Sequence, residues 1–575
     1  MPKGAELVWQ AVREQGVDTV FGYPGGAVIP LYDALEGSGV RHILTRHEQG
    51  AVFAAEGWAR ATGRAGVAIA TSGPGATNLI TGIADARMDS TPLVCITGQV
   101  RSSLIGTDAF QETDIFGMTL AITKWSRLVR SVEEIPEVMR QAFEIAQSGR
   151  PGPVLVDIPV DCLKAVWEPD AAAAREAAWR LEHSRQAPAA DANAPAFPEV
   201  ALRALLREAQ RPVALVGAGV KLAGAVSALR ALLDKLQLPA GMTVHGLGAI
   251  APGAGYNLGM VGMHGTRAAN TALHETDLLL VFGARLDDRV TGDPARFAPA
   301  ARIVHFEIDP AQLDRVRPAH LAIPGSLAET LPRFLQALER KPLPDWSQWR
   351  ELACGPERAE MAASALAVPA LQLLDELYAR LPEDSYVVAD VGQHQMWAAQ
   401  RYRSANPRGF ITSGGLGAMG FALPAAIGVQ LARPHSTVVC ISGDGGLQMN
   451  IQELATIRRC SLPLKLLLVD NKYLGMVRQW QQLFYDRNYA ETDLSDNPDF
   501  LALARAYGIA GERLQLDPAG PQGLPRDRGE TLRRFLDNPQ PRLLLFECAP
   551  EANVFPMVPS GAALSEMLLQ EKNVR

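Results

Sequence analysis

The chain has 575 residues, of which 47% are apolar and 20% charged, and its formal net charge at pH 7 is −7. This length predicts several domains of ordinary size, and the composition is typical of a globular protein with a large core. The 55 basic and 62 acidic side chains include no long basic run, which argues against nucleic acid or an anionic membrane as a partner.

No segment of the sequence predicts membrane insertion or export. No stretch approaches the length of about 20 apolar residues that a spanning helix needs. Residues 1–15 predict an amphipathic helix rather than a signal or transit peptide. The six cysteines lie far apart without a Cys-x-x-Cys pair, as buried free thiols do. We therefore predict a cytoplasmic location.

Three segments alternate short apolar runs with helical patterns, which predicts an α/β fold with three doubly wound parallel-sheet domains. We predict domains at residues 1–165, 198–343 and 367–550, linkers at 166–197 and 344–366, and a C-terminal tail at 551–575. The first linker is rich in Ala, Pro, Asn and Gln, as connecting segments often are. The predicted strands are residues 17–21, 41–45, 66–71, 92–97, 153–159, 212–216, 278–282, 303–307, 386–389, 437–441, 464–469 and 543–547.

Two stretches in different predicted domains share one plan. Residues 66–78 read GVAIATSGPGATN and residues 436–450 read STVVCISGDGGLQMN. In each, an apolar strand is followed by a Ser-Gly-x-Gly turn and a helix, a geometry that lets the backbone approach an anionic ligand. The echo predicts a duplicated α/β module with a ligand between its two copies.

The most specific chemical pattern is Gly443-Asp444-Gly445 followed, after 25 intervening residues, by Asn471. Asp444 comes after one predicted strand and Asn471 after the next, and neighbouring parallel strands place their carboxyl ends side by side, where ligands bind. A carboxylate and an amide oxygen meeting there suit Mg²⁺, and the glycines leave room for a diphosphate. A tight turn with a capping Asp and an unrelated Asn is the alternative interpretation.

This pattern resembles the diphosphate–Mg²⁺ motif of thiamine-diphosphate enzymes. Along nearly its whole length the chain is similar to the large catalytic subunits of acetolactate (acetohydroxyacid) synthases, and its Asp470-Asn471 pair and LGMVRQWQQLFYDRNY run resemble the bacterial isozyme II type. The resemblance implies a pyrimidine-binding first domain, a Rossmann-like central domain with a structural FAD, and a third domain for the diphosphate and Mg²⁺. The other matching stretches include FGYPGGAVIPLYDAL, RHEQGAVFAAEGWARATG, GTDAFQETD, LGMVGMHGT, VFGARLDDRVTG, DVGQHQMWAAQ and GLGAMGFALPAAIG.

The resemblance assigns Glu48 to the pyrimidine ring of the cofactor, where a partly desolvated carboxyl shares a proton. Without the resemblance, Glu48 equally suits the first turn of a helix. Met419 matches the apolar residue that supports the bent cofactor, and Asp444, Asn471 and Tyr473 match the metal ligands. The remaining expected contacts of thiamine diphosphate are Pro24, Gly25, Gly26, Val391, Gly392, Gln393, His394, Gly417, Gly443, Gly445, Gly446, Leu474, Gly475 and Met476.

The resemblance places FAD in the central domain, where Gly217-Ala218-Gly219 follows a predicted strand. Such a turn alone is weak evidence. Ser326 stands where relatives commonly carry Asp, which removes one carboxylate acceptor, and Val160 stands where they often carry Lys or Arg. The other matching FAD positions are Arg150, His264, Gly265, Thr266, Arg267, Gly283, Arg285, Asp287, Arg289, Glu307, Ile308 and Asp309.

The implied reaction decarboxylates pyruvate and transfers the hydroxyethyl group to a second pyruvate or to 2-oxobutanoate. Its products are 2-acetolactate and 2-aceto-2-hydroxybutanoate, in the first common step of branched-chain amino acid biosynthesis. Arg285 is expected to bind the acceptor carboxylate, and Trp480 the extra methyl group of 2-oxobutanoate. Gln111 completes the expected catalytic set, and Phe110 and Met476 are expected to line the substrate pocket.

Several alternatives stay open from the sequence. Other thiamine-diphosphate carboligases, decarboxylases and pyruvate oxidases are the nearest, followed by a flavin oxidoreductase and an inactive paralogue. A second acid site at Arg285 and Trp480 favours carboligation. The resemblance also implies a small regulatory subunit, and a homodimer or homotetramer in which the interface unites Glu48 of one subunit with Asp444 of another.

Overall fold

The computed structural model describes residues 1–168, 197–339, 342–355, 368–517 and 523–571. The predicted linkers 166–197 and 344–366 fall partly outside these residues, and the predicted tail 551–575 is described as far as residue 571. Within the described ranges, no helix has the length and apolar character needed to cross a membrane.

The first domain is a six-stranded sheet in which all neighbouring strands are parallel. Its strands are β1 (Thr19–Gly22), β2 (Arg41–Leu44), β3 (Gly66–Ala70), β4 (Leu93–Gln99), β5 (Trp125–Leu128) and β6 (Pro153–Pro159), in the order β2-β1-β3-β4-β6-β5. Its helices are α1 (Gly4–Glu14), α2 (Ile29–Asp33), α3 (Glu48–Thr62), α4 (Pro74–Thr77), α5 (Ile80–Asp89), α6 (Ile115–Thr119), α7 (Ile135–Gln147) and α8 (Val160–Lys164).

The central domain is a second six-stranded parallel sheet. Its strands are β7 (Pro212–Val216), β8 (Ala240–Met242), β9 (Asn257–Met260), β10 (Leu278–Phe282), β11 (Arg302–Glu307) and β12 (Leu321–Pro324), in the order β12-β11-β10-β7-β8-β9. Its helices are α9 (Glu199–Glu208), α10 (Gly219–Leu222), α11 (Val226–Leu236), α12 (Arg267–Glu275), α13 (Asp288–Thr291) and α14 (Leu327–Ala337).

The third domain is again a six-stranded parallel sheet. Its strands are β13 (Tyr386–Ala389), β14 (Phe410–Thr412), β15 (Val438–Gly443), β16 (Lys465–Asp470), β17 (Ala510–Leu514) and β18 (Arg542–Glu547), in the order β14-β13-β15-β16-β18-β17. Its helices are α15 (Pro369–Tyr378), α16 (Gln393–Arg401), α17 (Ala422–Ala432), α18 (Asp444–Met449), α19 (Leu454–Cys460), α20 (Gly475–Phe484), α21 (Phe500–Ala506) and α22 (Arg528–Leu536).

The predicted α/β class with three parallel sheets is confirmed. The predicted strands agree with the observed ones to within two residues at each end. Strands β5, β8, β9, β12, β14 and β17 were not predicted; five of these lie at the edges of their sheets, and the sixth, β8, is a three-residue strand next to the edge strand β9. An edge strand is not covered on both sides, so it needs no continuous apolar run; in β17 most residues are exposed or half-exposed.

The first and third domains have the same topology. Counted within each domain, both sheets have the strand order 2-1-3-4-6-5. The two echoing sequences, 66–78 and 436–450, contain the third strand of their respective domains, β3 and β15. The predicted duplicated module is therefore present in the fold.

Helices α3 and α17 join these two domains within one chain, at a contact where only glycine fits. Gly57 of α3 lies against the main chain of Ala425, and Gly428 of α17 lies against the carbonyl group of Ala54. A methyl group at either glycine would overlap backbone atoms, and packed cores do not accept such overlap without movement.

One buried carboxylate links all three domains. Asp89, at the end of α5, forms an ion pair with Arg60 at 2.8 Å and contacts His245 of the central domain at 3.0 Å. Its two oxygens also accept main-chain N–H groups from Gly414 (3.0 Å) and Gly415 (2.7 Å) of the third domain. Because these loops border the large cavity described below, this junction fixes the walls of that cavity.

The glycine contact gives a stability prediction. Gly428→Ala should lower the free energy of unfolding by about 2–3 kcal/mol, because α3 and α17 must separate to admit the methyl group. The matched control is Gly253→Ala, where a Cβ would meet open space. Urea unfolding measures both; equal stability of the two variants would show that the helices separate without cost.

Candidate active site

Asp444 and Asn471 lie at the ends of neighbouring strands, as the sequence predicts. Strand β15 ends at Gly443 and α18 begins at Asp444, while β16 ends one residue before Asn471. The two strands are paired in parallel with Gly443 opposite Val469, so their carboxyl ends meet at one edge of the sheet. Both side chains are buried.

This sheet edge concentrates negative charge. Burial, followed by the neighbouring carboxylate of Asp470, raises the pKa of Asp444 to about 7. Asn497 donates a hydrogen bond of 2.8 Å to Asp444 Oδ2, and in the described part of the chain neither aspartate forms an ion pair. A buried carboxylate without a cation is unfavourable, and a divalent cation would relieve this repulsion.

The donor set suits an ion that takes few protein ligands. No group of three or more His, Cys, Asp or Glu side chains within the described ranges is arranged to hold a metal. Asp444 and Asn471 instead offer one carboxylate and one amide oxygen. This is the chemistry of Mg²⁺ bound partly through phosphate oxygens, so the residues fit the expected metal.

The loop after β13 packs against the Gly443-Asp444 turn. Gly443 N–H donates to His394 Nε2 at 3.1 Å. Burial lowers the pKa of His394 to about 4, so the ring stays neutral and able to accept. Gly392 packs on the same imidazole, and Leu474 and Met419 pack beside Gly445. These expected cofactor contacts are therefore brought together.

Asp390, which the sequence did not single out, links the segments that follow β13 and β14 to the end of β15. One oxygen of its fully buried carboxylate accepts N–H groups from Val391 (2.7 Å) and Gly420 (3.0 Å). The other accepts from Ala422 N (3.4 Å) and Ser442 Oγ (3.3 Å). Burial raises the pKa of Asp390 to about 6, against the opposing effect of these hydrogen bonds.

The first domain supplies a second group of expected residues. Glu48 is the first residue of α3, as predicted, and its Oε2 accepts a 2.9 Å hydrogen bond from Asn78. Gly75 lies beside the other Glu48 oxygen, and Gln111 packs over Gly73 of the same turn. Glu48 is buried, with 9% of its surface exposed. In the nearby loop, Pro24, Gly25 and Gly26 precede Ala27, whose N–H donates to Thr71 at 3.2 Å.

A cavity of about 800 Å³ lies between the three domains, at the upper end of the sizes that ligand pockets span. It contains most of the expected FAD contacts together with part of the thiamine-diphosphate and substrate sets. The expected residues lining it are Arg150, Ala218, Gly219, His264, Gly283, Arg285, Asp287, Arg289, Glu307, Ile308, Ser326, Val391, Gly392, Gly417, Met476 and Trp480.

The polar lining of this cavity suits a large polar ligand. Arg285 contacts Asp287 Oδ2 at 3.4 Å, and the buried Oδ1 of Asp287 has no hydrogen-bond partner among the described residues. Arg150 pairs with Asp309 at 3.4 Å across two domains. Burial raises the pKa of Glu307. The buried Asp287 oxygen would gain a partner from a ligand with hydroxyl or N–H groups, and Arg150 and Arg285 could bind its phosphates, so the residues fit a dinucleotide.

Some expected residues lie elsewhere. Gly217 packs beneath the cavity wall, against Gly283 and Ala284. Thr266 caps α12 by accepting from Ala269 N at 3.1 Å, Arg267 is the first residue of that helix, and Gly265 packs on Val261. The described lining of the cavity includes none of Glu48, Gln111, Phe110, Asp444 and Asn471, and Phe110 is 88% exposed.

Comparison with known proteins agrees with this geometry. Models of the N-terminal TPP binding, central and C-terminal TPP binding domains of thiamine pyrophosphate enzymes match residues 2–118, 201–334 and 390–545. The chain is 51% identical over 572 residues to the acetolactate synthase isozyme 2 large subunit of Escherichia coli, covering 98% of this chain and 99% of that protein. The chain belongs to the family of acetolactate synthase large subunits.

More distant members of the family also align along their whole length. The isozyme 1 large subunit of Escherichia coli is 44% identical over 574 residues, covering 98% of this chain and 97% of that protein. A probable acetolactate synthase large subunit of Methanocaldococcus jannaschii is 41% identical over 578 residues, covering 98% and 95%. The two TPP binding domains of the family contain the two groups of residues described above.

The sequence analysis missed three residues that hold the site. Asn78 donates a hydrogen bond to Glu48, Asp390 links the segments after β13 and β14 to the end of β15, and Asn497 donates a hydrogen bond to Asp444. The similarity between residues 66–78 and 436–450 could have pointed to Asn78, because both stretches end in asparagine. Asp390 directly precedes the expected Val391, but Asn497 lies in a loop that no pattern marks.

The link that Asp390 makes between these segments is testable. In Asp390→Asn an amide NH₂ replaces one oxygen and faces N–H donors, so we expect a loss of about 2–4 kcal/mol of stability and weaker retention of thiamine diphosphate. Ser442→Ala removes only one of the four hydrogen bonds and should cost about 1 kcal/mol. Urea unfolding and equilibrium dialysis compare the two; equal stability would rule out this link.

Proposed function

We propose that the protein is an acetolactate synthase that decarboxylates pyruvate and transfers the hydroxyethyl group to a second pyruvate or to 2-oxobutanoate. The alignment of nearly the whole chain with acetolactate synthase large subunits carries this conclusion. The products are 2-acetolactate and 2-aceto-2-hydroxybutanoate, and the reaction belongs to branched-chain amino acid biosynthesis.

Thiamine diphosphate, when bound, supplies the electron sink for decarboxylation. Glu48 is suited to share a proton with its pyrimidine ring, since the carboxyl is buried yet keeps one oxygen free of the Asn78 hydrogen bond. Met419 beside Gly445 would support the ring, while the loops after β13 and β15 would hold the diphosphate.

Mg²⁺ is the metal that the third domain would hold. Asp444 and Asn471 would supply side-chain oxygens, and Tyr473 is the third ligand that the resemblance to the family implies. Support comes from the crowded, buried carboxylates of Asp444 and Asp470 at this edge.

FAD would occupy the central part of the cavity, where it has a structural role. Arg150, the unpartnered oxygen of Asp287 and the loop after β7 support this assignment. Ser326 uses its hydroxyl to cap α14, accepting from Ala328 N at 3.3 Å. It therefore gives FAD no carboxylate, which should weaken the binding of FAD.

The acceptor acid would lie where Arg285, Met476 and Trp480 share the cavity. Arg285 carries the charge that a carboxylate needs. Trp480 packs edge-on against Phe484 at 5.4 Å between centroids, which fixes an apolar surface beside this charge. A site for a second acid distinguishes a carboligase from a plain decarboxylase.

We propose a homodimer or homotetramer in which each active site lies at a subunit interface. Glu48 is held by the first domain and Asp444 by the third, and neither belongs to the described lining of the cavity that contains Arg285 and Trp480. Near each group stand exposed apolar side chains, which mark interaction surfaces. On the first domain these are Leu104, Ile105, Phe110, Met118 and Leu120, and on the third Leu416, Met449, Val477, Phe484 and Tyr485.

The relatives are called large subunits, which supports a small regulatory subunit as a further partner.

Product analysis with pyruvate, alone or with 2-oxobutanoate, tests the reaction. We expect 2-acetolactate and 2-aceto-2-hydroxybutanoate, each dependent on thiamine diphosphate. Acetaldehyde, or acetyl phosphate in the presence of phosphate, as main product would instead identify a decarboxylase or an oxidase. Bleaching of the flavin by pyruvate would favour a flavin oxidoreductase.

Glu48→Gln should fold normally but lose about 10²–10⁴-fold in kcat, because the amide cannot share a proton with the cofactor. Glu36→Gln, on an exposed residue of the same domain, is the control and should keep its activity. A near-normal rate for Glu48→Gln would show that another group activates the cofactor.

Trp480→Leu should reduce the preference for 2-oxobutanoate over pyruvate as acceptor by about tenfold, since it removes the surface for the extra methyl group. Competition between both acids, followed by product ratios, measures the preference. Trp167→Leu, the same change at a half-buried tryptophan that does not line the cavity, is the control. An unchanged ratio in Trp480→Leu would place the methyl group elsewhere.

A further inference from the structure

Three buried side-chain amides form a continuous hydrogen-bonded chain that begins at the expected metal ligand Asn471. Asn471 Nδ2 donates to Gln393 Oε1 at 3.2 Å, and Gln393 Nε2 donates to Gln479 Oε1 at 3.0 Å. The exposed fractions are 8% for Asn471, 3% for Gln393 and 0% for Gln479. Water therefore does not replace these bonds, and their directions matter.

At the Gln479 end of this row of amides, backbone hydrogen bonds fix the orientation of the side chain. Gln479 Oε1 accepts the N–H of Val554 at 2.9 Å, and Gln479 Nε2 donates to the carbonyl of Val554 at 3.0 Å. A backbone N–H only donates and a backbone C=O only accepts. Val554 belongs to the C-terminal tail (551–575). Its N–H and C=O groups thus determine which end of the Gln479 amide is the oxygen.

This polarity is transmitted to Asn471. Because Gln479 presents oxygen, Gln393 must present its NH₂ to Gln479 and its oxygen to Asn471. Asn471 must then direct its own NH₂ to Gln393, which leaves Oδ1 on the opposite side, where it accepts from Tyr473 N at 3.0 Å. A flipped Asn471 would set oxygen against oxygen at Gln393 and NH₂ against N–H at Tyr473.

Packing at Gly475 supports a close fit around this chain. A methyl group at Gly475 would overlap both Gln393 Oε1 and Asn471 Nδ2. The first turn of α20 therefore lies directly on the hydrogen bond that orients Asn471, and a larger residue there would push the two amides apart.

We propose that Gln479, held by the main chain of Val554, is a positioning residue that makes Asn471 present its oxygen to the divalent cation. This inference rests on the proposed function, in which Asn471 is a metal ligand. It assigns to the C-terminal tail (551–575) a part in metal binding through the Val554–Gln479 hydrogen bonds, rather than through a hydrogen bond to Asp444, Asn471 or Tyr473.

The test compares full-length wild type with Gln479→Met, which keeps the length of the side chain but not its hydrogen bonds. Equilibrium dialysis against thiamine diphosphate over a series of MgCl₂ concentrations gives the Mg²⁺ midpoint for cofactor retention. We expect the midpoint to rise about tenfold in Gln479→Met, with FAD retention close to that of the control. Because the buried Val554 N–H and C=O lose their partner, the variant should also melt at a lower temperature, so dialysis is carried out well below its unfolding midpoint.

The control is Gln481→Met on the same helix, whose amide bonds to Ala490 O and Thr492 Oγ1 rather than to the chain. It should keep the wild-type midpoint. A midpoint for Gln479→Met within twofold of wild type, or an equal rise in Gln481→Met, contradicts the proposal. Wild type that retains no thiamine diphosphate at any MgCl₂ concentration would instead overturn the proposed cofactor use itself.

Gln479→Glu and Gln479→Leu provide a second pair that decides the matter if Gln479→Met does not fold. In either protonation state Glu still turns an oxygen to Gln393 Nε2, whereas Leu offers no acceptor. We expect the Mg²⁺ midpoint of Gln479→Leu to lie about tenfold above that of Gln479→Glu. Equal midpoints in the two variants contradict the proposal.

Discussion

The site depends on the parallel pairing of β15 with β16. This pairing places Asp444 and Asp470 close enough for one carboxylate to raise the pKa of the other, at an edge where burial also disfavours charge. A cation beside two acids held in this way would stabilise both as anions. In the proposed function, the adjacent amide of Asn471 and the glycines around Asp444 would hold this cation together with a diphosphate.

Contacts between the three domains fix the position of this sheet edge relative to the first and central domains. Gly57 and Gly428 let α3 and α17 pack with their backbones in contact, which fixes the first domain on the third within the chain. Asp89 ties the central domain and the loop at Gly414 to the same junction. The large cavity is thus bounded by three domains whose relative positions are set by buried polar and glycine contacts.

Most of the fold, and the positions of the expected site residues at strand ends, could be predicted from the sequence, whereas the role of Glu48 is implied only by the resemblance to the family. Central strands are apolar runs, and Asp444, Asn471 and Glu48 stand at strand-to-helix passages that such runs reveal. Edge strands such as β17 were not predicted, because their partly exposed residues do not form a continuous apolar run. Supporting residues such as Asn497 and Gln479 were not predicted for a different reason. They contact segments that are distant in the sequence, and no local sequence pattern encodes such contacts.

The most direct test of a cation site at Asp444 is calorimetric titration with MgCl₂ in the presence of thiamine diphosphate. Repeating the titration in buffers of different ionisation enthalpy gives the number of protons released per cation. Because Asp444 has a pKa of about 7 without the metal, the cation must displace its proton. We predict tighter binding near pH 8 than near pH 6, and near pH 6 the release of almost one more proton per cation than in Asp444→Asn. Equal affinity and equal proton release in wild type and Asp444→Asn would contradict the account.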